Sequence, residues 1–427
     1  MGLPPVTLDD TNTSFALPSA LNGAWGWTSQ AHSQGCLWTD GPTQWAVWVD
    51  NNKKARIARR THTKAWEASV DLSAAGGTAL SAAFDDDSHN SVVVAVDDRG
   101  GVHVAGNMHG GQGGASDLLK YMRTSQPGHI AGTWVTTMVG TEESSVTYPQ
   151  FVKAKNGTLY FFYRDGISGN GDLMLNKYTS STKVWTRVGK IIDGKASSHS
   201  PYPQHVAVDR TTGRWHLIWC WRDTGDPDTN EDLCGAYSDD DGVTWKKYSD
   251  GSSYSLPITK ASAEVIVDLP GGTTTSILNN GGLEVDMNGR PHVAILIETS
   301  DVYQIRHVYH DGSAWHDDQV SSFAASNGRR PALATFRDGR VWILYCHSLA
   351  SGYIRVFDVT TPASVQQYTV HASDVSQLDV TFDTQGLYER DTLYIPAYIA
   401  RTDGVLTPAG IDNQSNVPIL TIRTLSA

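Results

Sequence analysis

YPQFVKAKNGTLYFFYRD, running from Tyr148 to Asp165, is repeated in altered form as YPQHVAVDRTTGRWHLIWCWRD from Tyr202 to Asp223. Each copy is an alternating apolar strand, a polar turn containing Gly, and a second strand richer in aromatics. That pattern reads as a β-hairpin. Five further copies flank these two: CLWTDGPTQWAVWVD from Cys36, HNSVVVAVDDRGGVHVAGNMH from His89 and NGGLEVDMNGRPHVAILIE from Asn280, then RRPALATFRDGRVWILYCH from Arg329 and QLDVTFDTQGLYERDTLYIPAYIAR from Gln377. The markers Cys36, Asn90, Pro149, Pro203, Gly281, Pro331 and Leu378 recur roughly every 50 residues, with one longer gap.

Each interval holds a hairpin and one or two more strands, the content of a four-stranded propeller blade. Most units also carry a Trp after a polar turn (Trp66, Trp134, Trp185, Trp245 and Trp315), and Ser238 to Trp245 fits the Asp-box pattern SxDxGxTW. The expected fold is therefore all-β: a seven-bladed β-propeller with four-stranded antiparallel blades, forming one domain over residues 1–427. Its hairpins start near residues 36, 89, 148, 202, 280, 329 and 377. The alternating segment Pro418 to Leu425 is expected to pair with the first blade and close the ring.

A length of 427 residues by itself suggests two or three domains, but a closed repeat fold grows by adding units. A net charge of −12 excludes a general nucleic-acid binder, which needs excess Lys and Arg to displace counterions. No apolar run approaches the length of a membrane span. Met1 to Asp10 lack the basic start and apolar stretch of a signal peptide, as in a secreted protein in mature or recombinant form; a phage or cytoplasmic origin stays open. A monomer is expected. Cys36, Cys220, Cys234 and Cys346 form no CxxC pair and read as buried free thiols, with disulfides as the alternative.

In an antiparallel hairpin the residue entering the first strand lies beside the residue leaving the second. The turns Asn156-Gly157, Asn288-Gly289 and Asp338-Gly339 all point to the opposite face. One common face then collects His89 and His109, Tyr148 and Arg164, Tyr202 and Arg222, Asn280 and Glu298, and Arg330 and His347. A rim of His, Tyr and Arg on an acidic protein makes a local cationic site able to move protons. Any polyanionic partner would meet this local site and not a globally attractive field.

At these residues the chain resembles the propeller polysaccharide lyases, the ulvan lyases and related rhamnosyl-glucuronate lyases. The matching pieces are His89-Asn90 with His109 in Asn107-Met108-His109, Tyr148-Pro149-Gln150 with Arg164-Asp165, and Trp219-Cys220-Trp221-Arg222. The resemblance implies β-elimination at a uronate of an acidic polysaccharide or oligosaccharide substrate: loss of the C5 proton and expulsion of the 4-linked sugar. It implies Arg164 as the group that neutralises the carboxylate, His89 and Tyr148 as the acid/base pair with His109 beside them, and no cofactor for catalysis. A cation near Tyr148 is expected to lower its phenol pKa. Asn90, Tyr202, Arg222, Asn280 and Arg330 are the candidate sugar-binding residues.

Some relatives hold a structural metal where they carry Asn-His-Asp before a Cys; here the run is Asn230-Glu231-Asp232-Leu233-Cys234. His216, Cys220 and Cys234 are the candidate ligands for such an ion, zinc or calcium. Two other functions stay open on the residues alone. A rhamnosidase-like hydrolase of the same propeller group is one, although hydrolysis commonly needs two placed carboxylates and only Glu298 is evident on the rim. The other is a non-catalytic glycan-binding or phage receptor-binding propeller.

Overall fold

The computed structural model describes residues 35–49, 54–72 without 63 and 65, 87–396, 398–399 and 419–423. Within 87–396, residues 88, 114–116, 131, 272–274, 300–301, 323–324, 326–328, 347–353, 372–374 and 377–378 are left out. His347 and Leu378, named above, lie outside the described residues.

Six sheets of antiparallel strands follow one another along the chain. Blade 1 comprises Leu37–Asp40, Thr43–Val49, Ala55–Thr61 and Val70–Asp71; blade 2 comprises Val92–Val96, Val102–Gly106, Tyr121–Thr124 and Gly132–Val135. Blade 3 comprises Val146–Lys153, Leu159–Ile167, Asn170–Thr179 and Val184–Asp193, with Ile258–Thr259 added in parallel at its outer edge. Blade 4 is built from Ser200–Val208, Trp215–Arg222, Asn230–Ser238 and Glu264–Val267, and blade 5 from Thr275–Val285, Pro291–Thr299, Val302–His310 and Trp315–Gln319. Blade 6 is built from Ala332–Thr335, Val341–Cys346, Ile354–Asp358 and Gln366–His371. The seventh unit contains the helix Thr384–Arg390, here α1, and the pairs Val375–Ser376 with Tyr398–Ile399 and Thr392–Pro396 with Ile419–Arg423.

The first strand of blade 4 packs on that of blade 5, which packs on that of blade 6. Apolar clusters lie between neighbouring blades: Trp215, Trp219 and Trp221 pack with residues of blade 3, and Leu296 and Ile305 of blade 5 with Leu333 and Ile343 of blade 6. This follows from the period of two, which gives every strand two side-chain faces, and in a ring of blades both faces are covered. Side chains on the order of Trp or Phe contribute about 3 kcal/mol each when fully buried. The Asp box forms as read: Asp240 accepts from Thr244 N and Oγ1, both at 2.8 Å, and Trp245 Nε1 donates to Gly242 O at 3.0 Å. Among the described residues no helix is long and apolar enough to cross a membrane.

Ring closure differs from the expectation. Ile419–Arg423 is a strand, but it pairs with Thr392–Pro396 inside the seventh unit and not with blade 1. Blade 1 is held instead by Asp383, a fully buried carboxylate. It accepts from Thr39 N at 3.0 Å, Thr39 Oγ1 at 2.6 Å and Gln44 Nε2 at 2.8 Å, and it caps α1 by accepting from Gly386 N at 2.8 Å. The far end of α1 holds the blade 1 turn, where Gly41 N donates to Glu389 at 2.9 Å and Arg390 Nη2 donates to Gly41 O at 2.6 Å.

Replacing Asp383 with Ala strands these donors in a dry site. Asp383→Ala is expected to lower the unfolding free energy by about 3 kcal/mol in urea denaturation; a loss below about 0.5 kcal/mol, the size of an ordinary surface change, would show that this carboxylate does not hold the ring.

Candidate active site

The first strands of three neighbouring blades share an irregularity near the site. In blade 3 the register slips between Phe162 and Arg164, so Tyr148 and Pro149 together face Tyr163. In blade 4 Gln204 and His205 face Ile218, and in blade 5 Asn279, Asn280 and Gly281 face Ile295. Each bulge contains a non-glycine residue in the left-handed region: Tyr148 at φ 58°, His205 at φ 95° and Asn280 at φ 64°. Such residues cost of order 1–3 kcal/mol each and persist where surrounding structure enforces them. Gly282 has its own steric reason, because a Cβ there would lie 2.4 Å from Leu333 N of blade 6.

Arg164 and Arg222 converge on one phenol. Arg164 Nη1 and Arg222 Nη1 each donate to Tyr202 Oη at 3.0 Å, and that hydroxyl donates to Ser168 Oγ at 2.9 Å. Arg164 Nη2 donates to Thr147 Oγ1 at 2.9 Å, while Arg222 donates from Nε to Asn230 Oδ1 at 2.6 Å and from Nη2 to Asn279 Oδ1 at 3.0 Å. The guanidinium carbons lie over aromatic faces: Arg164 at 5.0 Å from the Tyr148 ring centre and 5.3 Å from that of Tyr202, Arg222 at 4.0 Å from that of Tyr202. Arg164 is 0 % and Arg222 7 % exposed, and among the described residues neither has a carboxylate within ion-pair distance. Two buried cations held only by neutral groups create a strongly anion-seeking environment.

Across from them stand the histidines. The rings of His89 and His109 stack at 4.0 Å, and His89 meets the Tyr148 ring edge-on at 5.7 Å. Both rings turn Nδ1 toward Asp87, His89 at 2.7 Å and His109 in a shorter contact. His89 is the more open of the two, 29 % exposed against 12 %.

Burial acts on the two sides in opposite directions, because it always disfavours the charged form. Burial raises the Tyr148 phenol well above its usual range, with Tyr202 adding to the rise and Arg164, Arg222 and Arg330 only partly opposing it. The lowered phenol pKa expected from nearby cations is thus corrected: desolvation outweighs them. For His89, burial lowers the imidazole to about 4; the Asp87 hydrogen bond opposes this, and the charges of His109 and Arg164 add to it. At neutral pH Tyr148 is a protonated phenol and His89 a neutral imidazole.

The structure therefore brings His89, His109, Tyr148, Arg164, Tyr202 and Arg222 together. Asn280 and Asn90 are buried beneath them, Asn280 Nδ2 donating to Pro203 O at 3.0 Å. Arg330 joins through Nε to Asn279 O at 2.6 Å and is anchored by Asp379, whose Oδ1 accepts from Arg330 N at 2.7 Å. Tyr202, Arg222 and Asn280, read as sugar-binding residues, are buried and hydrogen-bonded under the face. Sequence reasoning missed Asp87, Thr147, Ser168, Asn279 and Asp379. Only Asp87 had a local signal, two residues before His89 at the end of an Asp run.

The expected metal trio is not assembled. Cys234 lies opposite Trp219 in the sheet and so shares its face, whereas His216 and Cys220 occupy the other face. His216 Nδ1 bonds Tyr248 Oη at 2.7 Å, and all four cysteines are buried free thiols. Two other groups have the donor types and spacing for an ion: Asp87, His89 and His109, and also His199, Asp223 and Glu231. In the second group the Lys260 ammonium already contacts Glu231 and lies 3.6 Å from Asp223.

Residues 43–323 match the family described as BNR repeat-containing. The ulvan lyase of Nonlabens ulvanivorans is 22 % identical over 276 residues, covering 57 % of this chain and 56 % of that protein, so the chain spans about half the length of this curated relative. A solved PL25 ulvan lyase superposes with a TM-score of 0.70 at 14 % identity, over 95 % of this chain and 97 % of that one. The polysaccharide lyase Uly1 gives 0.69 at 17 % identity, over 92 % and 90 %. At this identity the solved structures establish the shared fold, and with the blades described above they bear out the seven-bladed propeller.

An NMR titration is expected to place the His89 midpoint near pH 4. Arg164→Gln should move it upward by removing a nearby positive charge. A midpoint at the ordinary imidazole value in the wild type would contradict the buried setting.

Proposed function

The chain belongs to the BNR repeat-containing family, and within it we propose that this protein is a polysaccharide lyase that cleaves a uronate-containing glycan by β-elimination. The observation that carries this reading is the pair of buried guanidiniums, Arg164 and Arg222, facing a neutral imidazole and a protonated phenol. A uronate supplies the anion the two cations lack. Neutralising its carboxylate makes the C5 proton removable, since the charge that develops on proton loss spreads into that group.

In this reading His89 Nε2 takes the C5 proton. The electrons form the C4–C5 double bond, the C4–O4 bond breaks, and the Tyr148 hydroxyl protonates the departing oxygen. The opposite shifts of the two groups support these roles, which the sequence left open. Arg164 and Arg222 act through charge from beneath the face, and Arg330 is the cation placed to meet a neighbouring sugar.

The acidic glycan is proposed to be of the rhamnose–glucuronate type. A solved PL25 ulvan lyase was captured with -[GlcA(1-4)Rha3S]-, and the same cationic face suits such a ligand here. Hydrolysis is disfavoured by the fate of the nearby carboxylates, because Asp87 is committed to two imidazoles and Asp379 to Arg330.

Incubation with ulvan should produce the ultraviolet absorbance of an unsaturated uronate. Tyr148→Phe and His89→Ala are each expected to lower the rate by at least about 100-fold while the fold is retained. Release of free rhamnose with no absorbance would replace this reading with hydrolysis.

A further inference from the structure

Asp87 stands between the two histidines and donates nothing to either. Burial alone raises a carboxyl, but here the hydrogen bonds from His109 and His89 outweigh it and hold Asp87 well below the usual carboxylate range. The group is therefore ionised at neutral pH, and an ionised carboxylate has only acceptor lone pairs. Its Oδ1 meets His89 Nδ1 at 2.7 Å and its Oδ2 meets His109 Nδ1. Each contact is a hydrogen bond only if the imidazole carries its proton on Nδ1. A neutral ring held in this way presents an unprotonated Nε2 on the side away from Asp87, as His89 does. Asp87 Oδ1 also accepts from His89 N at 2.9 Å, which fixes the carboxylate against the backbone of the residue it orients.

Resting on the lyase reading of this site, we propose that Asp87 is its positioning residue: one carboxylate that sets the tautomer and orientation of both His89 and His109, whose rings stack at 4.0 Å. Without the carboxylate each ring is able to put its proton on Nε2, where it cannot accept the C5 proton.

Among the described residues, the charged and titratable groups that act on the pair include Asp87 and the histidines themselves, Tyr148 and Arg164 of blade 3, and beyond these Tyr202, Arg222 and Arg330. Replacing Asp87 removes an influence that raises His89 and leaves the Arg164 charge that lowers it.

The test compares wild type, Asp87→Asn and Asp87→Glu by long-range nitrogen–proton NMR of the histidine rings above pH 6, alongside kcat. The wild type is expected to show Nδ1–H in both rings. Asn offers one acceptor and one amine, so one ring of Asp87→Asn should switch to Nε2–H. The kcat of that variant should fall by about 100-fold with KM little changed, and its His89 midpoint should move to lower pH. Asp87→Glu should recover part of both signals. An Nε2–H ring in the wild type overturns the proposal, as does loss of kcat in Asp87→Asn with both tautomers kept, or a switched tautomer with kcat retained. Should the wild type yield no unsaturated product, the lyase reading fails, and the ring tautomers alone then decide whether Asp87 sets the pair.

Discussion

A ring of blades is stable only if its last unit grips its first, and here that grip passes through the carboxylate of Asp383. Four donors reach it, three from blade 1 and one from the first turn of α1. An anion in a dry site costs several kcal/mol unless its lone pairs are occupied; these donors occupy them and tie residues 39 and 383 together. The site depends on this closure, because its side chains come from successive blades whose spacing is set by the ring.

The chemistry is built where the regular ladder is broken. Regular pairing would send Tyr148, His205 and Asn280 to the faces dictated by strict alternation; the bulges turn them, at the cost of left-handed backbone. Beneath the open face, Arg164 and Arg222 are stabilised by phenol faces, one shared hydroxyl and amide oxygens. Cation–π contacts of this kind contribute up to about 2 kcal/mol each when desolvated, which offsets part of the desolvation cost of the two guanidiniums. The remainder is stability given up for an electrostatic field, and a bound anion recovers it.

The same desolvation acts in opposite directions on two neighbouring groups. Burial pushes the Tyr148 phenol up and the His89 imidazole down, so each rests in its uncharged form at neutral pH. Groups driven apart in this way take opposite roles in proton transfer. Burial outweighs the cations in setting these resting states.

Much of this was legible in the chain. Seven hairpins follow from alternation punctuated by Gly turns, and hairpin geometry alone set Tyr148 near Arg164 and Tyr202 near Arg222. Those features depend on residues within about 20 positions of one another. Asn279 and Asp379 were not legible, because each acquires its partner from another blade, and Asp87 had only the local signal of its place before His89. Cys234 was grouped with His216 and Cys220 but lies on the other face of the sheet, since a side chain's face in the third strand depends on register. The Tyr148 shift was read with the wrong sign, because it depends on how much water the fold removes. Periodicity is a local property written into neighbouring residues. Closure, register and burial are sums over the whole ring, and only the tertiary structure decided them.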